Sequence, residues 1–272
     1  MTSTPPPLQQ YVETWWQAID DLTSLLEQLT AEQWTAATDL PGWTVHDVAA
    51  HTAHLEALRA GTPHDDVEIG SPEHVNGMMG QFTEQGVVAR RDRTPDELIN
   101  EIRSSATAVH TELLAAPDLD PAAPAPGVFG AIGWSHERLL RNRPLDVWMH
   151  EQDIRRTVDL PGSMDTPAAL HTSAYLAESL GYVVAKTVGA PAGTTVVLDV
   201  EGQDPLAVQV GDDGRGLTLP SVPDHPTVRL TMDRESFIVL AGGRRTPEDG
   251  AVRIEGDEEL GGRIVDSLGV TP

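Results

Sequence analysis

The chain of 272 residues carries 42 acidic and 18 basic side chains, a formal charge of −24 that repels phosphate backbones and anionic membranes, and no basic run offsets that field locally. Nucleic acid is therefore excluded as a partner; at 39% hydrophobic and 22% charged residues, with no apolar run near the roughly 18 residues of a membrane span, so is a transmembrane segment. With no cysteine, the chain has no disulfide, no thiolate metal site and no cysteine nucleophile, so any thiol chemistry must take its thiol from outside.

Single cores stop growing efficiently at about 250 residues, so the length suggests two domains. The N-terminal "MTSTPPPLQQ" has neither the positive cluster nor the apolar core of a secretory signal, and the expected location is cytoplasmic.

In chain order, "YVETWWQAIDDLTSLLEQL" places Val12, Trp15, Trp16, Ile19, Leu22, Leu25, Leu26 and Leu29 at helical spacing, predicting a helix that packs on other helices. The turn "DLPGW" interrupts, Thr44 and Asp47 form a short capping box, and a helix from about Val45 to Arg59 follows. "EHVNGMMGQFTEQGVVARR" predicts a third helix despite Gly77, Gly80 and Gly86, and "TPDELINEIRSSATAVHTELLAA" a fourth, capped by Thr94 with Pro95 and Glu97 in its first turn. The proline- and glycine-rich 117–135 reads as a long loop of the kind that covers sites. "HERLLRNRPLDVWMHEQDIRRTVDLPG" gives a helix through Asp146 and His150 that Pro144 either kinks or restarts.

After one more helix, "PAALHTSAYLAESLGYVVAKTVG", the apolar period changes from 3.6 to 2. "TTVVLDVEG", "LAVQVGD" and "TVRLTMD" read as strands, and "DRESFIVLAGG" and "DEELGGRIVDSLG" as helices. The expected fold class is α+β, with a helical domain over 1–160 and a smaller α+β domain over 161–272.

Three histidines, His46, His51 and His54, fall in one helix. His51 and His54 are three residues apart and share a face, whereas His46 is turned away toward the first turn and solvent. Asp146 and His150 stand at i, i+4, a spacing that presents both side chains to one point. One histidine of the second helix with this pair makes a set of two nitrogens and one oxygen that suits zinc or a similar divalent ion and leaves positions open. The same spacing also describes an ordinary hydrogen-bonded pair. His54 reads either as a support behind His51 or as a structural histidine, Glu151 and Asp153 as ring-nitrogen partners or as ion pairs with Arg155 and Arg156, and Trp43 and Trp148 as pocket walls or core packing.

"LPGWTVHDVAAHTAHL", followed about ninety residues later by "RPLDVWMHEQDIRRTVDLPG", resembles the mycothiol-dependent maleylpyruvate isomerase family, a branch of the DinB/YfiT-like metal-binding four-helix bundles. The likeness covers essentially the whole chain, since "VRLTMDRESFIVLAGGRRTPEDGAVRIEGDEELGGRIVDSLG" is similar to the sterol-carrier-like C-terminal domain of such proteins. It implies an N-terminal DinB-like four-helix bundle whose metal ligands are His51, after the "GWT" turn, and Asp146 and His150 of the family's E-x-x-x-H helix. Aspartate here replaces the usual glutamate, and its shorter arm leaves direct coordination, coordination through water, or a small helix shift as alternatives.

The resemblance further implies zinc as the metal and mycothiol as the thiol cofactor or co-substrate. It also implies a role for Arg244 of "AGGRR" in binding a carboxylate of substrate or thiol, against the plainer reading of an exposed arginine after a glycine turn. The expectation is a mycothiol-using isomerase or S-transferase acting on a small electrophile, as a monomer or homodimer. A thiol-independent zinc hydrolase and a non-catalytic carrier of small ligands are the alternatives.

Overall fold

A computed structural model describes residues 8–246 and 248–271; residues 1–7, the greater part of the segment read above for an export signal, lie outside the described residues. The chain divides into two compact units, Met1–Gly162 and Ser163–Pro272, and among the described residues no helix is long and apolar enough to cross a membrane.

The first unit is helical: α1 (Leu8–Leu26), the short α2 (Ala31–Trp34), α3 (Val45–Arg59), α4 (Gly77–Val88), α5 (Pro95–Leu114), the short α6 (Gly127–Ala131) and α7 (His136–Val158). Helix α1 packs on α7 and α5, while α3 packs on α5, α7 and α4. The stripe of α1 is buried at Val12, Trp15, Ile19, Leu22, Leu25 and Leu26; Trp16, at its margin, is half-buried and stacks on His110 of α5 with ring centroids 4.3 Å apart. Leu29 falls beyond the helix end.

Helix α3 differs in kind, being buried on nearly every side, with Ala49, Ala50, Ala53 and Ala57 letting its neighbours approach closely. Asp47, His51, His54, Glu56 and Arg59 go into the interior with it, and buried polar groups of this kind require partners. The polar chemistry of the unit follows from that placement.

Several segments differ from the sequence expectation. The loop 117–135 contains α6, closed by backbone pairing of Pro124 with Ser135, because Phe129 and Ala125 pack on Leu139 and anchor a turn too short to show periodicity. Helix α4 starts only at Gly77, whose φ of +67° breaks the helical path before it. Helix α7 runs through Pro144 unbroken, and ends on Asp159 in the left-handed conformation.

In the second unit the segment expected as one helix is α8 (Pro167–Ala177), α9 (Leu180–Tyr182) and a π-helical turn, Val183–Thr187. Five strands, β1 (Thr195–Val200), β2 (Leu206–Val210), β3 (Gly216–Thr218), β4 (Val228–Met232) and β5 (Val252–Gly256), form one sheet in the order β3-β2-β1-β4-β5. Strands β1 and β4 are parallel at its centre and the other pairs antiparallel. The consecutive buried Val196, Val197 and Leu198 show a strand covered on both faces. Helices α10 (Arg234–Ala241) and α11 (Glu258–Val265) are each capped by an aspartate, Asp233 and Asp257. The edge strands β3 and β5 were not expected from sequence, since the one is three residues long and both are largely exposed.

Candidate metal centre

The start of α3 is set locally. Thr44 Oγ1 accepts from Asp47 N at 3.3 Å and Asp47 Oδ2 accepts from Thr44 N at 2.9 Å, closing a reciprocal capping box. The preceding turn needs Gly42, whose φ is +80° and whose missing Cβ would lie 2.3 Å from His74 Nδ1. With this start, His51 falls two turns into the helix and is 6% exposed. On α7, Asp146 and His150 lie one turn apart, with His150 also 6% exposed.

The structure brings these three side chains together. Asp146 Oδ1 stands 3.8 Å from His51 Nε2 and 3.8 Å from His150 Nε2, and the two imidazoles meet edge to face with centroids 4.7 Å apart. One ligand atom from each lies within 4.8 Å of the others. Zinc–nitrogen and zinc–oxygen bonds of about 2.0–2.2 Å put tetrahedral ligands about 3.4 Å apart, so the two 3.8 Å separations from Asp146 Oδ1 would shorten by about 0.4 Å each around an ion.

The protonation states suit such a set. Burial pushes the His51 imidazole below its ordinary range, against the opposing pull of Asp146, and so keeps it neutral. Burial alone would raise the Asp146 carboxyl, but the Arg143 guanidinium, with the two histidines, holds it well below the usual carboxylate range. His150 Nδ1 lies 3.2 Å from Asp153 Oδ2, so the ring keeps its proton on that side and turns the Nε2 lone pair toward Asp146. Asp153 is fixed in turn by Arg156 at 2.5 Å, whose Nε donates to Asp39 at 3.2 Å. The donor set, with His51 neutral and the Asp146 carboxylate charged, fits a divalent ion.

The other residues singled out from sequence are distributed as follows. The Trp43 ring stands 5.1 Å from His51 and 6.4 Å from His150 between centroids, held by its Nε1 donating to Glu84 Oε2 at 2.9 Å. Trp148 is fully buried and projects about 200° around α7 from His150. His54 sits in another network, with Nδ1 3.3 Å from Arg90 Nη1 and 3.4 Å from Asp65 Oδ2, and its ring packed near His64 and Phe82. His46 is not simply solvated, since its Nε2 lies 2.8 Å from Arg93 O. Glu151 accepts from Arg155 Nε at 2.7 Å, whereas Asp153 serves both a ring nitrogen and an arginine. Arg244, in the second unit, donates from Nη1 to Gly242 O at 2.6 Å and to Thr271 Oγ1 at 3.4 Å.

Sequence reasoning missed Arg143 and Glu56. Arg143 Nη1 donates to Asp146 Oδ2 at 2.9 Å, and its Nε and Nη2 donate to Glu56 Oε1 at 3.2 and 2.5 Å. The signal available was a glutamate set among Ala53, Leu55 and Ala57 of a buried helix, and an arginine three residues before Asp146.

Residues 15–155 match the family model described as "Mycothiol maleylpyruvate isomerase N-terminal domain", and residues 171–263 the model for the corresponding C-terminal domain. Two uncharacterized proteins of Mycobacterium tuberculosis, from strains CDC 1551 / Oshkosh and ATCC 25618 / H37Rv, are each 26% identical over 138 residues, 50% of this chain. The matched region spans about half the length (51%) of those relatives. The crystal structure of the mycothiol-dependent maleylpyruvate isomerase superposes with a TM-score of 0.51 at 20% identity, covering 92% of this chain and 93% of the other. That of a histidine-to-alanine variant of the enzyme does so with 0.51 at 18%, over the same shares. At these identities the likeness is one of fold.

Proposed function

The chain belongs to the mycothiol maleylpyruvate isomerase family, and from that premise we propose that it is a metal-dependent enzyme that uses mycothiol to isomerise, or to transfer the thiol to, a small electrophilic substrate. The observation that carries the reading is the convergence of His51, Asp146 and His150, from helices about a hundred residues apart in sequence, within 4.8 Å of one another. These three would hold the ion, most simply zinc, through two neutral nitrogens and one carboxylate. A divalent ion at such a site stabilises a thiolate at neutral pH.

The chain's own residues supply the rest. Burial keeps His51 unprotonated, Asp153 sets the tautomer of His150, and the Trp43 ring stands beside both imidazoles. The absence of cysteine agrees with a thiol that comes from outside. Addition of a thiol to a conjugated double bond, rotation and elimination isomerises a substrate with no net change in atoms, and retention of the adduct gives transfer. Arg244, in the second unit, is proposed to bind a carboxylate, and His54 and Trp148 are proposed to shape the interior of the first unit.

The test is metal content of purified wild type beside His51→Ala and His150→Ala, followed by turnover with and without mycothiol. The expected result is one divalent ion per chain in wild type, loss of it in both variants, and thiol-dependent turnover of a cis-configured electrophile. Wild type without stoichiometric metal overturns the reading; metal with thiol-independent ester or amide hydrolysis replaces it by the hydrolase alternative.

A further inference from the structure

Asp146 has two carboxylate oxygens in different circumstances. Oδ1 faces both imidazoles at 3.8 Å, whereas Oδ2 accepts a hydrogen bond from Arg143 Nη1 at 2.9 Å. Arg143 is itself immobilised, because its Nε and Nη2 both donate to Glu56 Oε1, an oxygen that also accepts from Trp15 Nε1 at 3.1 Å. Arg143, Glu56 and Trp15 are 2%, 0% and 1% exposed, so no solvent competes for the arrangement. The chain of contacts runs from α1 through α3 to α7.

We propose that Arg143 is a positioning residue that reserves one oxygen of Asp146, so that this aspartate serves the metal through Oδ1 alone. The inference rests on the metal reading given above and adds how an aspartate fills the site. A carboxylate on a short arm can rotate about its last bond and offer either oxygen or both. A charge-assisted bond from a guanidinium that is fixed at its far side removes that freedom. It leaves one oxygen pointing at the two Nε2 atoms.

Glu56 has two effects in this arrangement. It lies on α3 five residues after His51, and Arg143 lies on α7 three residues before Asp146, so their contact fixes the two ligand-bearing helices against each other. It also cancels the charge of Arg143, which unpaired would repel a divalent cation nearby; the set Glu56, Arg143 and Asp146 carries the same single negative charge as an isolated aspartate. A buried ion pair of this type is retained for what it specifies rather than for stability.

The experiment titrates cobalt(II), then zinc(II) with a competing chelator, into metal-free wild type, Arg143→Met, Arg143→Lys and Glu56→Gln. In wild type the cobalt spectrum is expected to show the intense visible bands of a four-coordinate site with a monodentate carboxylate. In Arg143→Met the freed Oδ2 joins, the bands weaken with the higher coordination number, and the zinc dissociation constant departs from that of wild type by about 10-fold or more. Arg143→Lys restores part of both properties. A purely structural role would lower the unfolding midpoint and leave the cobalt bands unchanged.

Superimposable cobalt spectra and equal zinc affinities for wild type and Arg143→Met overturn the proposal. Should that variant not fold, the same equality in both Arg143→Lys and Glu56→Gln overturns it. Failure of wild type itself to bind either ion is a different result, which removes the metal reading and this inference with it.

Discussion

Asp153 stands behind His150, its Oδ2 3.2 Å from the ring's Nδ1, while Nε2 of the same ring faces Asp146. The carboxylate therefore decides which nitrogen carries the proton and which presents a lone pair. Asp153→Asn removes the charge while keeping the shape, and an amide presented nitrogen-first would favour the wrong tautomer. Its zinc affinity is expected to fall about 10- to 100-fold with the helical circular dichroism unchanged. Competition with a chromophoric chelator measures this, and an unaltered dissociation constant would remove Asp153 from the centre.

Gly86 of α4 has no room for a side chain, because a Cβ there would lie 2.1 Å from His54 Cδ2 and 2.2 Å from Cγ. The His54 ring is hemmed in by Arg90, His64 and Phe82 and cannot retreat without disturbing them. Gly86→Ala is accordingly expected to destabilise the helical unit by about 1–3 kcal/mol, although alanine is the better helix former. Urea unfolding followed by tryptophan fluorescence reads it, and a stability equal to or above wild type would contradict the close approach.

His54 also makes stability depend on pH. Burial, with the charge of Arg90 beside it, pushes its pKa down to about 3 against the pull of Asp65. The unfolded chain binds this proton below about pH 6.5 and the folded chain does not, so the contribution is intact above that value. It is lost as pH falls from there toward 3, by up to about 1.4 kcal/mol per pH unit. With chelator present to keep metal out of the comparison, the unfolding midpoint of His54→Gln should fall less steeply in this window than that of wild type. Parallel slopes would assign the acid sensitivity elsewhere.

Thr44 caps the helix that presents His51. Thr44→Ala leaves the Asp47 amide without its acceptor and is expected to cost about 1 kcal/mol, whereas Thr44→Ser keeps the bond and most of the stability. Denaturant midpoints of the pair check this. Equal losses in both would mean that the threonine methyl, not the cap, is what matters.

The parts of the fold that could be read from sequence are those whose cause lies within four residues. Thr44 with Asp47 and Thr94 with Glu97 set the starts of α3 and α5 by reciprocal bonds three residues long, and the stripe of α1 repeats every turn. The change from a period of 3.6 to one of 2 near Thr195 marked the passage from helices to sheet. Short pieces escaped for the same reason: α2 and α6 span one turn each, and β3 and β5 are too exposed to alternate.

In the candidate site, the i, i+4 spacing of Asp146 and His150 was visible, since one helix fixes it. That His51 rather than His54 turns toward that pair, and that His54 goes instead to Arg90 and Asp65, depends on how α3 is rotated between its neighbours. The contact of Arg143 with Glu56, 87 residues apart, had no local trace beyond a charged residue in an otherwise small and apolar stretch. The sequence by itself determined the long helices of the first unit, the caps of α3 and α5, the α+β division and the types of ligand available, because each follows from bonds and periods a few residues long. Only the tertiary structure decided which histidine meets Asp146 and which of its oxygens is left to meet it, because those choices are made by packing between helices and by the need to pair every charge carried into the interior.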